Sequence, residues 1–160
     1  MTIREVSGKK ILRATPDQAE TLTRIAVAAK RHWDYPDRWI QIWSPLLTIS
    51  PEFIETHDTY VAYLGEEPVG VCAISIEEDR ASVEHLWVLP DFMGRGIGTA
   101  LFRHALSRCE DLGVRVLEIE SDPNAQGFYE RMGAKVVGEH VGEVDGQPRI
   151  LPVLEMVLDH

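Results

Sequence analysis

Hydrophobic and polar residues follow two different periods along this chain. Segments in which they alternate predict β-strands, and segments in which hydrophobic residues recur every three or four positions predict helices. Seven segments are strand-like: residues 11–14, 59–64, 69–76, 81–88, 114–120, 135–141 and 150–158. The longest helical period places one set of residues on a buried side: Ile97, Leu101, Phe102, Ala105, Cys109 and Leu112. The pattern predicts an α/β (mixed α+β) fold, with a central mixed sheet of about seven strands and helices on both faces.

Cap residues followed by proline mark two helix starts before residue 59. Thr15-Pro16 begins the first helix, which a capping box with Gln18 supports and which ends near Lys30. Ser50-Pro51 repeats the signal and predicts a short helical piece.

An aromatic segment, residues 32–43, lies between these helices and holds three of the four tryptophans. A second helix is expected to begin at Asp34 or Tyr35, before Pro36. Aromatic residues concentrated near a loop either pack a helical hairpin on the sheet or line a substrate pocket. Tyr35 and Trp39 are nearest the loop, so they are the candidates for substrate binding.

The order of strands and helices predicts how the sheet is connected. Short connections join the three strands between residues 59 and 88, which favours an antiparallel meander. Gly113 ends the long helix and the strand 114–120 follows, an order that favours parallel, right-handed pairing. Asn124 is predicted to cap a short helix that Gly133 stops.

Composition and length indicate an ordinary globular protein. The 160 residues predict one domain, and 44% hydrophobic with 26% charged residues is typical of soluble proteins. The chain has no apolar run near the roughly 20 residues of a membrane span. Residues 1–5 lack the apolar stretch of a signal peptide, so we expect a cytoplasmic protein without a membrane partner.

The charge balance and the metal-binding residue types narrow the chemistry. Sixteen basic against 26 acidic side chains give a net charge of -10, which argues against a nucleic-acid partner and favours a cationic substrate. Acidity for solubility alone is the alternative. Cys72 and Cys109 lack metal-site spacing and are interpreted as buried small hydrophobic residues. Neither a disulfide nor a zinc site is therefore expected, and because the histidines are scattered no catalytic metal is expected.

Three glycines follow the strand that ends at Val88, within the sequence Met93-Gly94-Arg95-Gly96-Ile97-Gly98. Glycine allows positive φ and close approach of a ligand, and a helix N-terminus offers free N–H groups to an anion. A tight turn before a buried helix is the alternative. The spacing is not that of a dinucleotide fingerprint, and Thr99-Ala100 stands where a P-loop has Lys-Ser/Thr.

This loop resembles the acyl-CoA loop of the GNAT superfamily of N-acetyltransferases, Gln/Arg-x-x-Gly-x-Gly/Ala, with Met93 departing at the first position. Asn124, Phe128, Tyr129 and Gly133 resemble the later Asn-x-x-x-Phe-Tyr-x-x-x-Gly segment of that family. The order of elements agrees from about residue 11 to residue 158. The resemblance implies a GNAT-like fold in a single N-acetyltransferase domain, residues 1–160, with acetyl-CoA as the acyl-donor substrate.

The resemblance also implies where acyl-CoA lies: in a V-shaped opening between the strand that ends near Val88 and the strand that begins at Val114. Strand backbone would pair with the pantetheine arm, and loop N–H groups would hold the pyrophosphate. The implied cofactor-binding residues are Leu86, Trp87, Val88, Met93, Gly94, Arg95, Gly96, Ile97, Gly98, Thr99, Asn124 and Phe128. The Arg95 side chain either reaches a phosphate or is solvated.

Acetyl transfer to an amine needs a base, because an alkylamine with a pKa near about 10 is protonated at pH 7. Glu84 is the candidate, since alternation predicts that it shares a strand face with Leu86 and Val88 while His85 faces the other way. An exposed strand carboxylate is the alternative. Tyr129 resembles the family's proton donor to the leaving thiolate, and packing of the short helix is its alternative role.

These features predict direct transfer of an acetyl group from acetyl-CoA to a primary amine of a small molecule or peptide. The buried position of Cys109 argues against an acyl-cysteine route. A non-catalytic acyl-CoA-binding regulatory module is one alternative, and an interaction domain that uses the tryptophan-rich segment is another. No motif identifies the amine, and dimerisation is common in the family, so a homodimer is one expected assembly.

Overall fold

The strands and helices of the structure, a computed structural model that describes residues 4–6 and 9–158, follow the predicted order. The strands are β1 (Arg4–Val6), β2 (Lys9–Arg13), β3 (Asp58–Leu64), β4 (Glu67–Glu77), β5 (Arg80–Val88), β6 (Val116–Glu120), β7 (Lys135–Val144) and β8 (Gln147–Val157). The helices are α1 (Ala19–Arg31), α2 (Asp37–Leu47), α3 (Pro51–Thr56), α4 (Ile97–Asp111) and α5 (Gln126–Arg131). No helix within the described ranges has the length and apolar character needed to cross a membrane.

One sheet joins the described strands in the order β1-β2-β3-β4-β5-β6-β8-β7. β5 and β6 pair in parallel, and the other described pairs are antiparallel. The predicted mixed sheet, its meander and the parallel crossover through α4 are therefore confirmed. The described strands number eight rather than about seven, because residues 4–6 pair with β2. Three residues are too few for a period to be recognised in a sequence.

Two hydrophobic cores lie on opposite faces of the sheet. The first core packs beneath α4 and α5 and includes the fully buried Leu101 and Phe102. The second core packs beneath α1, α2 and α3 and includes Leu22. Helices on both faces are thus confirmed. The burial predicted for Leu112 is wrong: its side chain is 44% exposed, because α4 ends at Asp111 and the next residue falls in the terminal turn.

Both cap-then-proline signals mark real helix starts. The N–H of Thr15 donates to Oε1 of Gln18 at 3.0 Å, and a 3-10 turn at Pro16–Gln18 leads into α1. Oγ of Ser50 accepts the N–H of Phe53 at 3.0 Å and caps α3. These bonds satisfy backbone donors that have no partner inside the helix.

The predicted start of the second helix is wrong. α2 begins at Asp37 with Pro36 at the N-cap position, rather than at Asp34 or Tyr35. Asp34 instead takes a left-handed conformation, with φ of 58°, and turns the chain after α1. An aspartate tolerates this conformation better than most residues, so it serves the turn and not the helix cap.

The last two strands are longer than predicted. The segment 142–148, predicted as a polar connection, is strand on both sides of a two-residue turn, Asp145-Gly146. Both turn residues have positive φ, 50° and 76°, which is the geometry of the hairpin turn that continues the strand twist. The segment is mostly exposed, so it has little of the hydrophobic alternation by which a strand is recognised.

Candidate active site

The sheet opens where β5 and β6 separate. The two strands pair only from Arg80 with Val116 to Ser82 with Glu118, although β5 continues to Val88. Beyond the paired residues each strand follows its own twist, and a V-shaped opening lies between them. The opening implied by the family resemblance is therefore present.

A β-bulge interrupts β5 at the edge of this opening. On β4, the adjacent residues Ala73 and Ile74 pair with His85 and Val83, so Glu84 is one residue in excess. Such a bulge leaves the extra residue unpaired and breaks the alternation of side chains. The residues on either side of Glu84 therefore pair regularly with β4. The alternation of their side chains between the two faces of the sheet, however, is one position out of phase across the bulge.

The bulge makes the predicted facing of Glu84 wrong. Leu86 and Val88 pack against the first core. The Glu84 carboxylate instead accepts a 2.8 Å hydrogen bond from the hydroxyl of Ser75, whose neighbours on β4 point into that core. The carboxylate therefore lies on the α1–α3 side of the sheet. His85 was predicted to face away from Glu84, but its ring lies on this same side, against a phenylalanine of α3.

Backbone groups of β5 are directed into the opening. The N–H of Leu89 donates to the carbonyl oxygen of Val69 at 2.9 Å, toward β4. Because successive residues of a strand direct their N–H and C=O groups to opposite edges, those of Val88 and Leu86 point to the opening. This edge can pair with an extended ligand as an added strand would.

The glycine-rich loop closes one end of the opening. Gly94 and Gly96 have φ of 78° and 79°, and Gly96 is the N-cap of α4. Within the described residues no side chain caps this helix, so the N–H groups of its first turn are available to an anion. A Cβ at Gly98 would lie 3.6 Å from the ring of Phe128 and 3.7 Å from the side chain of Val88, so these two walls meet here.

A cavity of about 610 Å³ fills the opening and brings most of the predicted site together. Glu84 and Tyr129 line it. So do eleven predicted cofactor-binding residues: Leu86, Trp87, Val88, Met93, Gly94, Gly96, Ile97, Gly98, Thr99, Asn124 and Phe128. Arg95 does not line it; its guanidinium lies 5.2 Å from the ring centre of Phe92, and its carbonyl accepts a hydrogen bond from Lys9.

Tyr129 projects from α5 into the wall of the cavity. Its side chain is buried, and its ring packs edge-on against Phe102 and Phe128 at centroid distances of 5.6 and 5.2 Å. Burial raises the pKa of the Tyr129 hydroxyl well above its ordinary value, because the phenolate would be poorly solvated. The hydroxyl therefore carries its proton at neutral pH and can donate it.

Asp122, rather than Asn124, caps the segment that leads into α5. Its carboxylate accepts the N–H of Asn124 at 2.8 Å, so the capping role predicted for Asn124 is wrong. The side-chain amide of Asn124 also donates to Asp122, at 2.9 Å. The sequence signal was present, because Asp122-Pro123 has the same cap-then-proline form as Ser50-Pro51.

Residues from three distant parts of the chain form a charged cluster beside the cavity: Lys30 and Tyr35, Asp122, and Arg149. The Lys30 ammonium lies 2.6 Å and the Arg149 guanidinium 3.1 Å from Oδ2 of Asp122. The Tyr35 hydroxyl donates to the same carboxylate at 2.9 Å. Burial works to raise the pKa of Asp122, but Lys30 and the other hydrogen bonds hold it below its ordinary value.

The aromatic segment 32–43 mainly supports this cluster. The ring of Trp43 lies 4.5 Å from the Lys30 ammonium and 4.8 Å from the Arg149 guanidinium, so it faces both cations. Tyr35 and Trp39 do not line the cavity, and Trp39 stacks on Tyr35 at 6.0 Å. Tyr35 still reaches the site through Asn124, whose amide donates to its hydroxyl at 3.1 Å. Trp33 is the residue of this segment that lines the cavity.

The metal-binding residue types are dispersed. No group of three or more His, Cys, Asp or Glu side chains in the described part of the chain could hold a metal ion. Cys72 and Cys109 are both buried, as predicted. Burial raises the pKa of the Cys72 thiol to about 12 and that of the Cys109 thiol to about 11, so neither is a thiolate nucleophile at neutral pH.

The chain matches a model of the acetyltransferase (GNAT) family over residues 20–134. It is 36% identical over 92 residues to a peptidyl-lysine N-acetyltransferase, YjaB, of Salmonella typhimurium, a match that covers 58% of each chain. It is 27% identical over 145 residues to the Escherichia coli protein of the same name, covering 82% of this chain and 95% of that one.

Solved structures share the whole fold. A GCN5-related N-acetyltransferase from Rhodopseudomonas palustris superposes with a TM-score of 0.79 at 21% identity, over 99% of both chains. The PaiA N-acetyltransferase from Thermoplasma acidophilum, solved in complex with coenzyme A, superposes with a TM-score of 0.76 at 18% identity, over 99% of this chain and 100% of that one.

Proposed function

Because this chain is an acetyltransferase of the GNAT family, whose acyl donor is acetyl-CoA, we propose that it transfers the acetyl group directly to a primary amine. The observation that carries the proposal is the cavity between the separated strands, with free backbone donors at one end and a buried tyrosine in its wall. We take residues 1–160 as one N-acetyltransferase domain. A homodimer and a cytoplasmic location stay predictions.

The backbone of the cavity would hold acetyl-CoA. The exposed edge at Leu86 and Val88 pairs with the amides of the pantetheine arm, as an added strand does. The N–H groups of residues 94–99 bind the pyrophosphate at the start of α4. Phe128 and Asn124 lie along the arm, and the Arg95 side chain stays in solvent unless a phosphate reaches it.

The reaction then needs one proton acceptor and one proton donor. Glu84 takes a proton from the acceptor ammonium, directly or through water, and the neutral amine attacks the thioester carbonyl. A C–N bond forms, the C–S bond breaks, and CoA leaves as its thiol after Tyr129 donates a proton to the sulfur. The second proton, which the attached amine loses as the tetrahedral intermediate collapses, restores the Tyr129 hydroxyl, and Glu84 releases its own proton to water. A backbone N–H near Val88 stabilises the oxyanion. The β-bulge supports this role for Glu84, because it turns the carboxylate away from the cofactor edge and toward the side from which an acceptor enters.

We propose a lysine side chain of a peptide or protein as the acceptor. Two relatives are named peptidyl-lysine N-acetyltransferases. The carboxylates of Glu84 and Glu120 border the cavity, and the chain carries a net charge of -10, so a cation is attracted. Tyr35 and Trp39 remain candidates for contact with the acceptor, Tyr35 through its hydrogen bond with Asn124.

The test is a measurement of CoA release from acetyl-CoA with a panel of amines: a lysine peptide, the same peptide with only its α-amine free, a polyamine and an aminoglycoside. We expect turnover to be fastest with the lysine peptide, with the acetyl group located on the side-chain amine by mass spectrometry. Tight binding of CoA without turnover on any amine would contradict the proposal and favour a non-catalytic acyl-CoA-binding module.

A further inference from the structure

His85 is a buried titratable residue that the proposed mechanism does not use. It borders the cavity, next to Glu84 at the bulge, and only 7% of its surface is exposed. Its ring lies on the α1–α3 side of the sheet, the side assigned above to the acceptor. A polar ring kept at this depth needs hydrogen-bond partners, so the state of its two nitrogens matters.

The partner at one nitrogen fixes the tautomer of the ring. Nε1 of Trp87 lies 2.9 Å from Nδ1 of His85. An indole N–H donates and cannot accept, so Nδ1 must carry a lone pair rather than a proton. The ring proton is therefore on Nε2, and an imidazolium would lose the bond to Trp87.

The surroundings of the ring keep it neutral. Phe53 packs edge-on against it at 5.3 Å and stacks on His57 at 3.9 Å. Burial, and to a smaller extent the nearby His57, lower the pKa of His85 to about 4. The other ionisable groups nearby are Glu84, adjacent in sequence, and Lys30, whose ammonium lies 5.9 Å from the Trp87 ring. At neutral pH His85 cannot serve as the base, since Nδ1 is occupied and Nε2 is already protonated.

The remaining N–H belongs to a ring whose residue lines the cavity. Among the described residues no hydrogen bond forms at Nε2. A group bound by this N–H must offer a hydrogen-bond acceptor. The reacting amine nitrogen cannot be that acceptor, because its single lone pair is used in the attack, so an oxygen elsewhere in the acceptor is needed. We propose that Nε2–H of His85 binds a carbonyl oxygen of the acceptor, and so selects peptide amines over simple alkylamines. This inference rests on the proposed acetyl transfer.

Two acceptors separate this role from a structural one: a lysine peptide and n-butylamine, which has the amine but no carbonyl. For His85→Leu we expect kcat/KM for the peptide to fall about five- to tenfold, the effect of one lost hydrogen bond. We expect kcat/KM for n-butylamine and KM for acetyl-CoA to change less than about twofold. His85→Gln keeps an N–H donor and should restore part of the peptide preference. His140→Leu, an exposed histidine of β7, is the matched control.

The outcomes distinguish a failure of the His85 inference from a failure of the proposed acetyl transfer. Equal loss with both acceptors, or no loss with the peptide, would overturn the role of His85 while leaving acetyl transfer intact. No turnover with any amine would contradict the proposed function itself. The ring can also be observed without turnover: ¹⁵N chemical shifts should show a neutral Nε2–H imidazole at neutral pH, and Trp87→Phe should relax that preference. An Nδ1–H tautomer or an imidazolium in the unsubstituted protein would also overturn the inference.

Discussion

The cavity has two arms, one bordered mainly by backbone groups and the other mainly by side chains. The arm that we propose for the cofactor, here the cofactor arm, is formed by the β5 edge and the loop 93–99 and presents backbone N–H and C=O groups from one continuous stretch of chain. The arm that we propose for the amine, here the acceptor arm, lies on the α1–α3 side and is bordered by side chains from α1, the loop before α2, the end of β6 and β8. Backbone recognition depends on where the chain can bend, whereas side-chain recognition depends on what distant residues meet.

The two arms also differ in how their charged and polar groups are paired. The cofactor arm has no side-chain cap at the start of α4 within the described residues, so an anion meets free N–H groups there, with the Lys9 ammonium beside the loop. The charged cluster already has its ions paired: Lys30 and Arg149 share the carboxylate of Asp122. The N–H groups at the start of α4 are therefore free to bind a ligand. The charged cluster instead fixes the positions of α1, the loop before α2, the end of β6 and the last hairpin relative to one another.

The largest expected effect is on catalysis where the two arms meet. Tyr129→Phe removes the proposed proton donor and should lower kcat by about 100-fold or more, because that is the range of general acid catalysis. The Kd for CoA should stay within about twofold, since the ring still packs against Phe102 and Phe128. Steady-state kinetics and calorimetry measure the two quantities. Tyr63→Phe, on β3, is the control, and an equal loss of CoA affinity would indicate a packing role.

Asp122→Ala removes the carboxylate that joins the segments of the acceptor arm. It leaves Lys30 and Arg149 partly buried without their counter-ion, so the free energy of unfolding should fall by about 3 kcal/mol in urea denaturation. Arg38→Ala is the control, because its side chain is 75% exposed and its ion pair with Asp145 is of a kind that contributes about 1 kcal/mol or less. Equal losses in the two variants would show that the cluster does not join the segments as described.

Gly96→Ala tests the cofactor arm. A side chain at φ of 79° is strained, and relief of this strain shifts the N–H groups of the loop, whereas the Lys9 side chain, 3.2 Å from a Cβ there, can move aside. We expect the Kd for CoA to rise roughly tenfold by calorimetry. Gly146→Ala imposes the same kind of strain at φ of 76° in the distant hairpin turn and should leave this Kd unchanged. Unchanged affinity in the Gly96 variant would argue against backbone recognition.

The smallest effect is on the pH dependence of stability. The pKa of Asp122 in the folded protein is below its ordinary 3.8, so its contribution is present above that pH. As pH falls below it, the unfolded chain takes up the proton first and the contribution is lost. The difference in unfolding free energy between the unsubstituted protein and Asp122→Asn should therefore narrow between about pH 5 and about pH 3. A difference that stays constant over this range would contradict the depressed pKa.

The contrast between local backbone features and contacts of distant side chains also explains which features could be predicted from the sequence. The buried face of α4 and the loop at Gly94 and Gly96 follow from local spacing, so they were recognised from residues a few positions apart. The facing of Glu84 was not, because the bulge depends on how β5 pairs with β4 and not on alternation within β5. The charged cluster was missed because Lys30 and Arg149 meet Asp122 only after the chain has folded.

Hydrogen exchange with and without CoA tests the central claim most directly, since it reports the backbone amides one by one. The account predicts slower exchange on binding at Leu86, Val88 and residues 94–99, with little change at the amides of Lys30 and Arg149. Protection that is absent from residues 94–99, or confined to the acceptor arm, would contradict it.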